Sequence, residues 1–411
     1  MEYAYSERIP SDPRLRGGNT LDIGLFDAEG FRGWSGSHKD TFTLTETWAT
    51  PPYVAGPIAA GTWQVLLGPY KVGPRGCEYE VRISFGTDVP EASFVEPHRV
   101  TSVPPRDLRA PAEPGWLRGD LHCHTLYSDG DSWPADMLAS AVERGLDFLG
   151  VTDHNQTGHF AAYAAATGTH LPIVVPGVEV TTYGGHWNAW GTHRFLDFRE
   201  PTLAAVTRVM QAAAASGALV SVNHPKPFGP PWEYPDANGF HCVEVWNGGW
   251  PEANETSLTW WNSLLQQDRR IVAVGGSDTH HLKDPSGDRL GKPTTWVHAD
   301  RSVPAVLGAL RAGNVFISHD VDGPQLYLSG DRIRVVDALG AQLLLMTDSG
   351  LASSATIPST DWTTSVSLES RYVRAEVRAP TGEMLALSNP IWRHGHPVGT
   401  PVEAHRAPIT P

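Results

Sequence analysis

Residues 116–131 read WLRGDLHCHTLYSDGD, and this stretch decides the fold. A short apolar run begins at Trp116 and ends on two histidines, His122 and His124, which one residue separates. Alternation along a β-strand turns both imidazoles to the same side, so that the pair can reach one metal ion. Cys123, between them, is expected to point the opposite way, into the core.

Four further apolar runs end on histidine or carboxylate side chains. In an α/β barrel the C-terminal ends of the strands meet at one rim, where active sites form. Five such endings in one chain therefore predict a shared metal site at that rim. The four runs are LDFLGVTDH (146–154), LPIVVPGVEV (171–180), ALVSVNHP (218–225) and RIVAVGGSDTH (270–280).

The region around these runs has the sequence pattern of an α/β domain. Over residues 116–320, apolar runs alternate with helical patterns, which is typical of βα units. Helices are predicted over 134–145, 201–217 and 304–313, each with a proline near its start and a glycine at its end. We therefore expect one metal-binding barrel domain at 116–320.

The flanking regions read as β-structure. Residues 1–105 contain short strand patterns, including the alternating run CEYEVRISF at 77–85, and predict an N-terminal β-sandwich. A proline-rich segment at 96–113 is expected to act as a linker. Residues 321–411 predict a C-terminal β region and tail, either a third domain or a layer packed on the barrel or on the sandwich.

Composition excludes several classes of protein. Cys77, Cys123 and Cys242 are too widely spaced for a disulfide framework or a thiolate zinc site. A net charge of -14 makes a nucleic-acid partner improbable. With no apolar run long enough to span a bilayer and no signal-like start, we expect a cytoplasmic protein that does not bind membranes. The sequence makes no prediction of oligomeric state.

The phrases HCHTLYSDGD, GVTDHN, GVEVT, NHP and GSDTH, in this order, resemble the PHP (polymerase and histidinol phosphatase) superfamily. The resemblance covers roughly residues 116–320. It implies a distorted (β/α)7 barrel that hydrolyses phosphoesters or related bonds with up to three metal ions. The longer phrase GVEVTTYGGHWN and the NPIW near the C-terminus resemble the carbaryl-hydrolase-like (CehA/McbA-like) branch.

The resemblance implies a set of metal ligands shared among three positions. The first position would have His122, His124, Glu179 and Asp278. The second would have Asp129, His154 and His280. Glu179 would bridge to a third position with His224 and either His186 or His193. His186 is preferred because it follows Glu179 more closely, and without this ligand the site would be dinuclear.

Two or three divalent ions are the expected cofactors. Asp129 stands where some members of the family have histidine, and a carboxylate oxygen there favours a choice among Zn, Mn and Fe over Zn alone. A water that bridges two such ions becomes a hydroxide nucleophile near neutral pH. Asp278, Glu179 and His280 are the expected catalytic residues, and Asp278 would both bind metal and orient the water.

Residues next to the ligands are candidates for binding the substrate. Lys226 could neutralise a phosphate or could simply be a solvated loop lysine. Asp153 would either orient a metal-bound imidazole or cap a strand end. The expected substrate-binding residues are Asn155, Lys226, Trp246, Asn247 and His281.

The leading hypothesis is a hydrolase that uses a metal-bridging hydroxide on a small-molecule phosphomonoester, phosphodiester or related ester. One alternative is a carboxylic or carbamate ester hydrolase. Another is a nuclease acting on nucleic-acid ends, against which the absence of a Lys/Arg run counts. A third is a binding module with an inactive barrel. The second HxH motif, His394 and His396, lies in the tail and is not expected to bind metal.

Overall fold

The computed structural model describes residues 1–11, 15–86, 96–101, 104–227, 230–284, 289–367 and 369–393. His394 and His396 lie outside these residues. The described chain has a large mixed sheet together with helices, which confirms the predicted α/β class. No helix in this part of the chain is both long and apolar enough to cross a membrane.

The N-terminal region contains two small antiparallel sheets. One has the strand order β3-β2-β4, and the other pairs β1 with β5. The run at 77–85 forms a strand only at its centre, and Phe85 is exposed rather than packed in a sandwich core. The strands are β1 (Glu2–Tyr5), β2 (Thr20–Phe26), β3 (Phe31–Gly36), β4 (Gln64–Lys71) and β5 (Tyr79–Arg82).

The central region alternates strands and helices. The three helices predicted from the sequence are present as α1, α3 and α5. The strands are β6 (Trp116–Asp120), β7 (Phe148–Val151), β8 (Ile173–Thr182), β9 (Gly185–Trp190), β10 (Leu219–Val222), β11 (Cys242–Asn247), β12 (Val272–Gly276), β13 (Thr294–His298) and β14 (Val315–Ser318). The helices are α1 (Pro134–Glu143), α2 (His159–Ala165), α3 (Leu203–Ala215), α4 (Asn254–Gln266) and α5 (Val303–Ala312).

Local sequence explains where these helices begin and end. The Asp136 carboxylate accepts a hydrogen bond from the backbone N–H of Trp133, 3.0 Å away, at the start of α1. The Ser302 hydroxyl accepts one from the Ala305 N–H at the start of α5. Gly313 ends α5 with φ of 75°, a left-handed conformation that favours glycine.

Strands β6 to β12 lie side by side in chain order. Neighbours are parallel except around β9, which runs antiparallel to both β8 and β10. Just beyond the ends of β6 and β12, the N–H of His124 donates to the carbonyl of Thr279, and the N–H of Asp278 donates to that of His122. These bonds join the first strand of the series to the last and bring their C-terminal ends together.

Five of the C-terminal strands continue the same sheet on its other side, whereas β15, β16 and β19 form a separate three-stranded sheet. Strand β21 pairs with β14, and β20, β17 and β18 follow outward in the order β14-β21-β20-β17-β18. The strands are β15 (Gln325–Ser329), β16 (Arg332–Val336), β17 (Gln342–Thr347), β18 (Gly350–Thr356), β19 (Asp361–Ser365), β20 (Tyr372–Arg378), β21 (Met384–Ser388) and β22 (Ile391–Trp392).

The N-terminal sheet packs directly on the central region. Trp34 of β3 belongs to the same buried cluster as Trp187 of β9 and Trp261 of α4. The side-chain amide of Gln156 donates to the Trp34 carbonyl. This shared core holds strand β3 over the rim at which the central strands end.

Candidate metal centre

All nine side chains that the resemblance implies as metal ligands come together at one rim. They fall into four overlapping groups, and within each group the candidate donor atoms lie within 4.8 Å of one another. The groups are His124, Asp129, His154 and His280; His122, His124 and Asp278; His122, Glu179 and His224; and His154, Glu179 and His186.

Glu179 is the centre of the buried side of this cluster. It lies near the end of β8 and its side chain is 0% exposed. Its Oε1 lies 3.2 Å from His122 Nε2 and 3.3 Å from both His186 Nδ1 and His224 Nε2. We call Glu179 with His122, His186 and His224 the Glu179 half.

Asp129 is the centre of the more open side. Its side chain, in the turn after His124, is 20% exposed. Its Oδ1 lies 3.3 Å from His280 Nε2 and 3.5 Å from His154 Nε2. We call Asp129 with His154 and His280 the Asp129 half.

Three residues connect the halves. His154 of the Asp129 half also places its Nδ1 2.8 Å from Glu179 Oε2, and the other two are His124 and Asp278. Asp278 Oδ1 lies 3.0 Å from His124 Nε2 and 3.3 Å from His122 Nε2. The His124 ring stacks on that of His280, with 4.0 Å between centroids. His124 and Asp278 therefore border both halves, as a pair shared between neighbouring metal ions would.

Backbone strain collects at the same strand ends. Asn155, His224 and Asp278 have φ of 53°, 27° and 55°, in the left-handed region that residues other than glycine seldom adopt. Such strain tends to cluster at functional sites, where the surrounding structure holds it in place. Here it turns His224 and Asp278 toward the cluster as each leaves its strand.

The charges and pKa values of the cluster favour the binding of a cation. Burial works to raise the pKa of Glu179 and of Asp278, but the surrounding imidazoles hold both pKa values well below the usual range. Burial and the neighbouring His280 lower the pKa of His124 to about 4. Burial opposes charge on His280 too, yet Asp129 raises its pKa to about 10. The carboxylates are thus anionic, and a divalent ion would displace protons from some of the imidazoles.

Glu244 of β11 supports the cluster and was not predicted. Its Oε1 lies 2.9 Å from His122 Nδ1, and its Oε2 accepts hydrogen bonds from the His224 N–H and from the Asn247 side chain. It can therefore fix the orientation of one candidate ligand and the backbone of another. The only feature of the sequence that points to Glu244 is that it is a single carboxylate inside the apolar run CVEVWN.

Gly276 lies against this supporting pair. A Cβ placed at Gly276 would come within 2.5 Å of both Glu244 Oε1 and the His122 Cβ. The glycine before Ser277 and Asp278 is therefore required for β12 to approach β6 and β11 this closely.

The predicted substrate-binding residues differ in where the structure places them. Asn247 donates to Asp278 Oδ2 at 3.3 Å, and buried Lys226 donates to the Asn247 carbonyl at 2.9 Å, so it is not a solvated loop lysine. His281 is exposed beside the cluster. Asn155 is buried and uses its side-chain amide on the Thr181 backbone.

Trp246 departs from its predicted role. It is 1% exposed and packs on Trp250 within the main core. A bulge between Glu244 and Trp246 shifts the alternation of β11. Because of this shift Asn247, rather than Trp246, is on the side of Glu244.

Three further residues clarify the rim. His193, the other candidate for the third position, is exposed and contacts Phe160, away from the four groups. Asp153 accepts hydrogen bonds from the Thr125 N–H and from the Ser128 hydroxyl, which itself lies 3.4 Å from His124 Nδ1. Cys123 is fully buried, as expected from its place between two ligands.

One neighbour of the cluster comes from the N-terminal sheet. His38, just after β3, places its Nε2 3.8 Å from Asp129 Oδ2, whereas His154 and His280 approach Oδ1. Nothing in the local sequence around His38 indicates this, because the contact depends on how the N-terminal sheet packs on the rim.

Comparison with known proteins finds a family match over part of the chain. Residues 120–215, which contain six of the nine side chains, match the family model of the PHP domain. The chain is 36% identical over 92 residues to a 3',5'-nucleoside bisphosphate phosphatase of Chromobacterium violaceum, covering 21% of this chain and 30% of the relative.

The chain also matches two other curated relatives over short stretches. A phosphoribosyl 1,2-cyclic phosphate 1,2-diphosphodiesterase of Eggerthella lenta is 38% identical over 65 residues, which are 16% of this chain and 24% of the relative. A 5'-3' exoribonuclease of Haemophilus influenzae is 29% identical over 104 residues, 24% of this chain and 36% of the relative. The chain thus spans about a third or less of the length of each of these three relatives.

A solved two-domain protein from Bacteroides vulgatus, described as containing a PHP-like metal-dependent phosphoesterase, has a TM-score of 0.44 and 18% identity to this chain. The alignment covers 71% of this chain and 100% of that one. The likeness to this solved structure is weak, and the similarity to the PHP domain rests on the match over residues 120–215.

Proposed function

We propose that the protein is a metal-dependent hydrolase of the PHP type that cleaves phosphoesters of small molecules. The observation that carries this proposal is the convergence of nine histidine and carboxylate side chains, from several strands and the turns that follow them, at one rim. The named activities of the matched phosphatase and phosphodiesterase support phosphoesters as the substrate class.

The donor set fits divalent ions. Buried polar atoms ordinarily have hydrogen-bond partners, and those that have none call for an explanation. Six donor atoms of the cluster are buried and, among the described residues, have no hydrogen-bond partner. They are His122 Nε2, His124 Nε2, Asp129 Oδ1, Glu179 Oε2, His186 Nδ1 and Asp278 Oδ1.

The residues of the chain have distinct tasks in this proposal. Divalent ions, when bound, lower the pKa of a water molecule and polarise the ester oxygen. Asp278, whose Oδ2 is 3.3 Å from the Asn247 amide, orients the attacking water and accepts its proton. The buried Lys226 ammonium donates to the Asn247 carbonyl at 2.9 Å and lies 3.8 Å from Glu252 Oε2, so its task is to hold Asn247 beside Asp278.

The finer structural expectations belong to the same proposal. We infer that β6 to β12 form the distorted barrel of the PHP superfamily and that the rim belongs to its carbaryl-hydrolase-like branch. Residues 1–105, 116–320 and 321–411 are the proposed domains. Zn, Mn and Fe are the candidate metals, with two or three ions in each chain.

The test combines metal analysis with a substrate panel. The purified protein should contain two or three divalent ions and hydrolyse 4-nitrophenyl phosphate or bis(4-nitrophenyl) phosphate faster than 4-nitrophenyl acetate. Chelation should abolish turnover, and added Zn, Mn or Fe should restore it. Asp278→Asn protein purified in parallel controls for contaminating phosphatases. A metal content below one ion per chain, with no activation by added metal, would contradict the proposal. Faster turnover of 4-nitrophenyl acetate would favour the ester-hydrolase alternative.

Cleavage of nucleic-acid ends is the second candidate, because one matched relative is named as an exoribonuclease. The net charge of -14 opposes a long electrostatic track for RNA. A short 5'-phosphorylated RNA in the same panel separates the two candidates. Release of mononucleotides faster than phosphate from 4-nitrophenyl phosphate would favour the nuclease.

A further inference from the structure

A cavity of about 160 Å³ lies between the N-terminal sheet and the central region. We call it the junction cavity. Its walls include Trp34 and Leu66 from the N-terminal sheet and Phe198 from the central region. A cavity of about 150 Å³ is enough to hold a ligand the size of benzene. The junction cavity thus has room for one ring.

The cavity adjoins the candidate metal centre. Asn155 and Thr181 line it, and Asn155 directly follows His154 in the chain. The Thr181 hydroxyl lies 2.5 Å from His154 Nδ1. A molecule bound in the cavity would therefore contact the residues that hold a candidate ligand of the Asp129 half.

One wall of the cavity has a carboxylate without a cation. Asp22 of β2 is 7% exposed and accepts one hydrogen bond, at 2.9 Å, from the Tyr183 hydroxyl. Arg199 also lines the cavity, but its guanidinium is bonded to Asp197 at 2.7 and 2.8 Å. Among the described residues, Asp22 forms no ion pair. Burial raises the pKa of Asp22 to about 6, so it is largely ionised at neutral pH.

A buried carboxylate without a cation is costly unless other donors satisfy it. The remaining lining is largely apolar, with Gly68 opposite Asp22 in the β2–β4 register. A Cβ at Gly68 would collide with the Tyr183 hydroxyl and with Trp34, so the glycine lets these two walls of the cavity pack against β4. This combination of an apolar ring-sized space and one unpaired anion is complementary to a ring that carries cationic N–H donors.

We infer that the junction cavity binds a ring-sized organic group with N–H donors, such as an amidine or an amino-substituted ring, through Asp22. We further infer that this group belongs to the molecule whose ester is cleaved at the adjoining cluster, and this second statement rests on the proposed function. The N-terminal sheet would then determine which esters the metal centre accepts.

The test measures binding without hydrolysis. Isothermal titration of the full chain with benzamidine, which is cationic, and with benzyl alcohol, its neutral analogue of similar size, compares the two probes. Benzamidine should bind more tightly, and Asp22→Asn should weaken its binding at least tenfold while leaving benzyl alcohol unchanged. Glu29→Gln, an equal loss of charge in the same region but outside the cavity lining, is the matched control and should bind both probes as the parent does.

Equal binding of benzamidine by the parent and by Asp22→Asn, or no saturable binding by the parent, would overturn the inference. If Asp22→Asn does not fold, Leu66→Trp, which adds volume to a wall of the cavity, replaces it, and the loss of both probes is then expected, whereas undiminished binding contradicts the inference. Benzamidine binding through Asp22 in a protein that hydrolyses no phosphoester would refute the proposed function alone. Phosphoester hydrolysis without such binding would refute the inference alone.

Discussion

The Glu179 half and the Asp129 half use the same kinds of side chain but are built differently. Glu179 lies within a strand and is fully buried, and within 3.4 Å of its two oxygens lie nitrogens of five imidazoles. Asp129 lies in a turn, is partly exposed and faces His38 of the N-terminal sheet. The difference suggests that the Glu179 half holds its ions firmly, whereas the Asp129 half can exchange ligands or admit substrate.

Glu179→Gln should have the largest effect. The change removes the negative charge that five imidazoles share, so we expect loss of at least two metal ions. Activity should fall by about 10,000-fold, the upper end of what removal of a catalytic carboxylate costs. Elemental analysis and the phosphoester assay measure both. If Glu179→Gln retains all of its metal ions, Glu179 is not the residue that binds metal in the Glu179 half.

Asp278→Asn should come next, with a loss of about 1,000-fold in rate. Asparagine keeps the size and one oxygen donor, so part of the metal should stay bound and the fold should be unchanged. The rate of the parent should rise with pH through an apparent pKa near neutrality, as expected for metal-activated water. Near-parental activity of Asp278→Asn at saturating metal would show that another group accepts the proton.

Asp129→Asn tests the open half. We expect the loss of about one ion and roughly a 100-fold decrease in rate, the lower end of the range for a catalytic carboxylate. Added metal should restore activity more fully than in Glu179→Gln, because the Asp129 half is partly exposed. If Asp129→Asn and Glu179→Gln lose the same activity and added metal restores neither, the two halves do not differ in how firmly they bind metal.

His186→Ala should have a smaller effect within the Glu179 half. The imidazole contacts Glu179 from a strand that brings no other candidate ligand, so we expect loss of about one ion and about a tenfold decrease in metal affinity. His193→Ala is the matched control, since His193 is exposed and outside the cluster. If His193→Ala lowers the metal content instead, the third position is misassigned; if neither does, the site is dinuclear.

Asp22 lies in the N-terminal sheet that borders the Asp129 half. Asp22→Asn should change the free energy of unfolding and leave the metal content unchanged. The folded-state pKa of Asp22, about 6, is above its ordinary value of 3.8. The folded protein therefore holds a proton that the unfolded chain releases, and stability falls as pH rises from about 4 to 6. Two pKa units correspond to at most about 3 kcal/mol. Urea unfolding at pH 4 and 7 should show that the parent loses stability relative to the asparagine variant as pH rises, whereas Glu29→Gln follows the parent.

The sequence was most informative where an apolar strand ended on a polar side chain. His122, Asp278 and His280 were predicted because their motifs follow short apolar runs, and the structure brings all three to one rim. Glu244 was missed because a carboxylate inside a strand gives no end signal. His38 was missed because its contact with Asp129 joins residues far apart in the chain.

Strand β9 shows the same limitation in the fold. The phrase around His186 has too few alternating apolar residues to be read as a strand. Yet it pairs with β8 through a two-residue turn, with Thr181 opposite His186. This register places His186 diagonally across from Glu179, on the same face of the hairpin. Only the antiparallel pairing, which the sequence did not reveal, explains why His186 rather than His193 joins the cluster.

The backbone bonds that join His122 and His124 to Asp278 and Thr279 also bear on how the site is assembled during synthesis. Residues of the Glu179 half as far as His224 leave the ribosome well before Asp278 and His280. A nascent chain can therefore gather His122, Glu179, His186 and His224 around a first ion while the ligands that complete the cluster are still untranslated. Metal capture would then proceed in a fixed order, with the Asp129 half completed last.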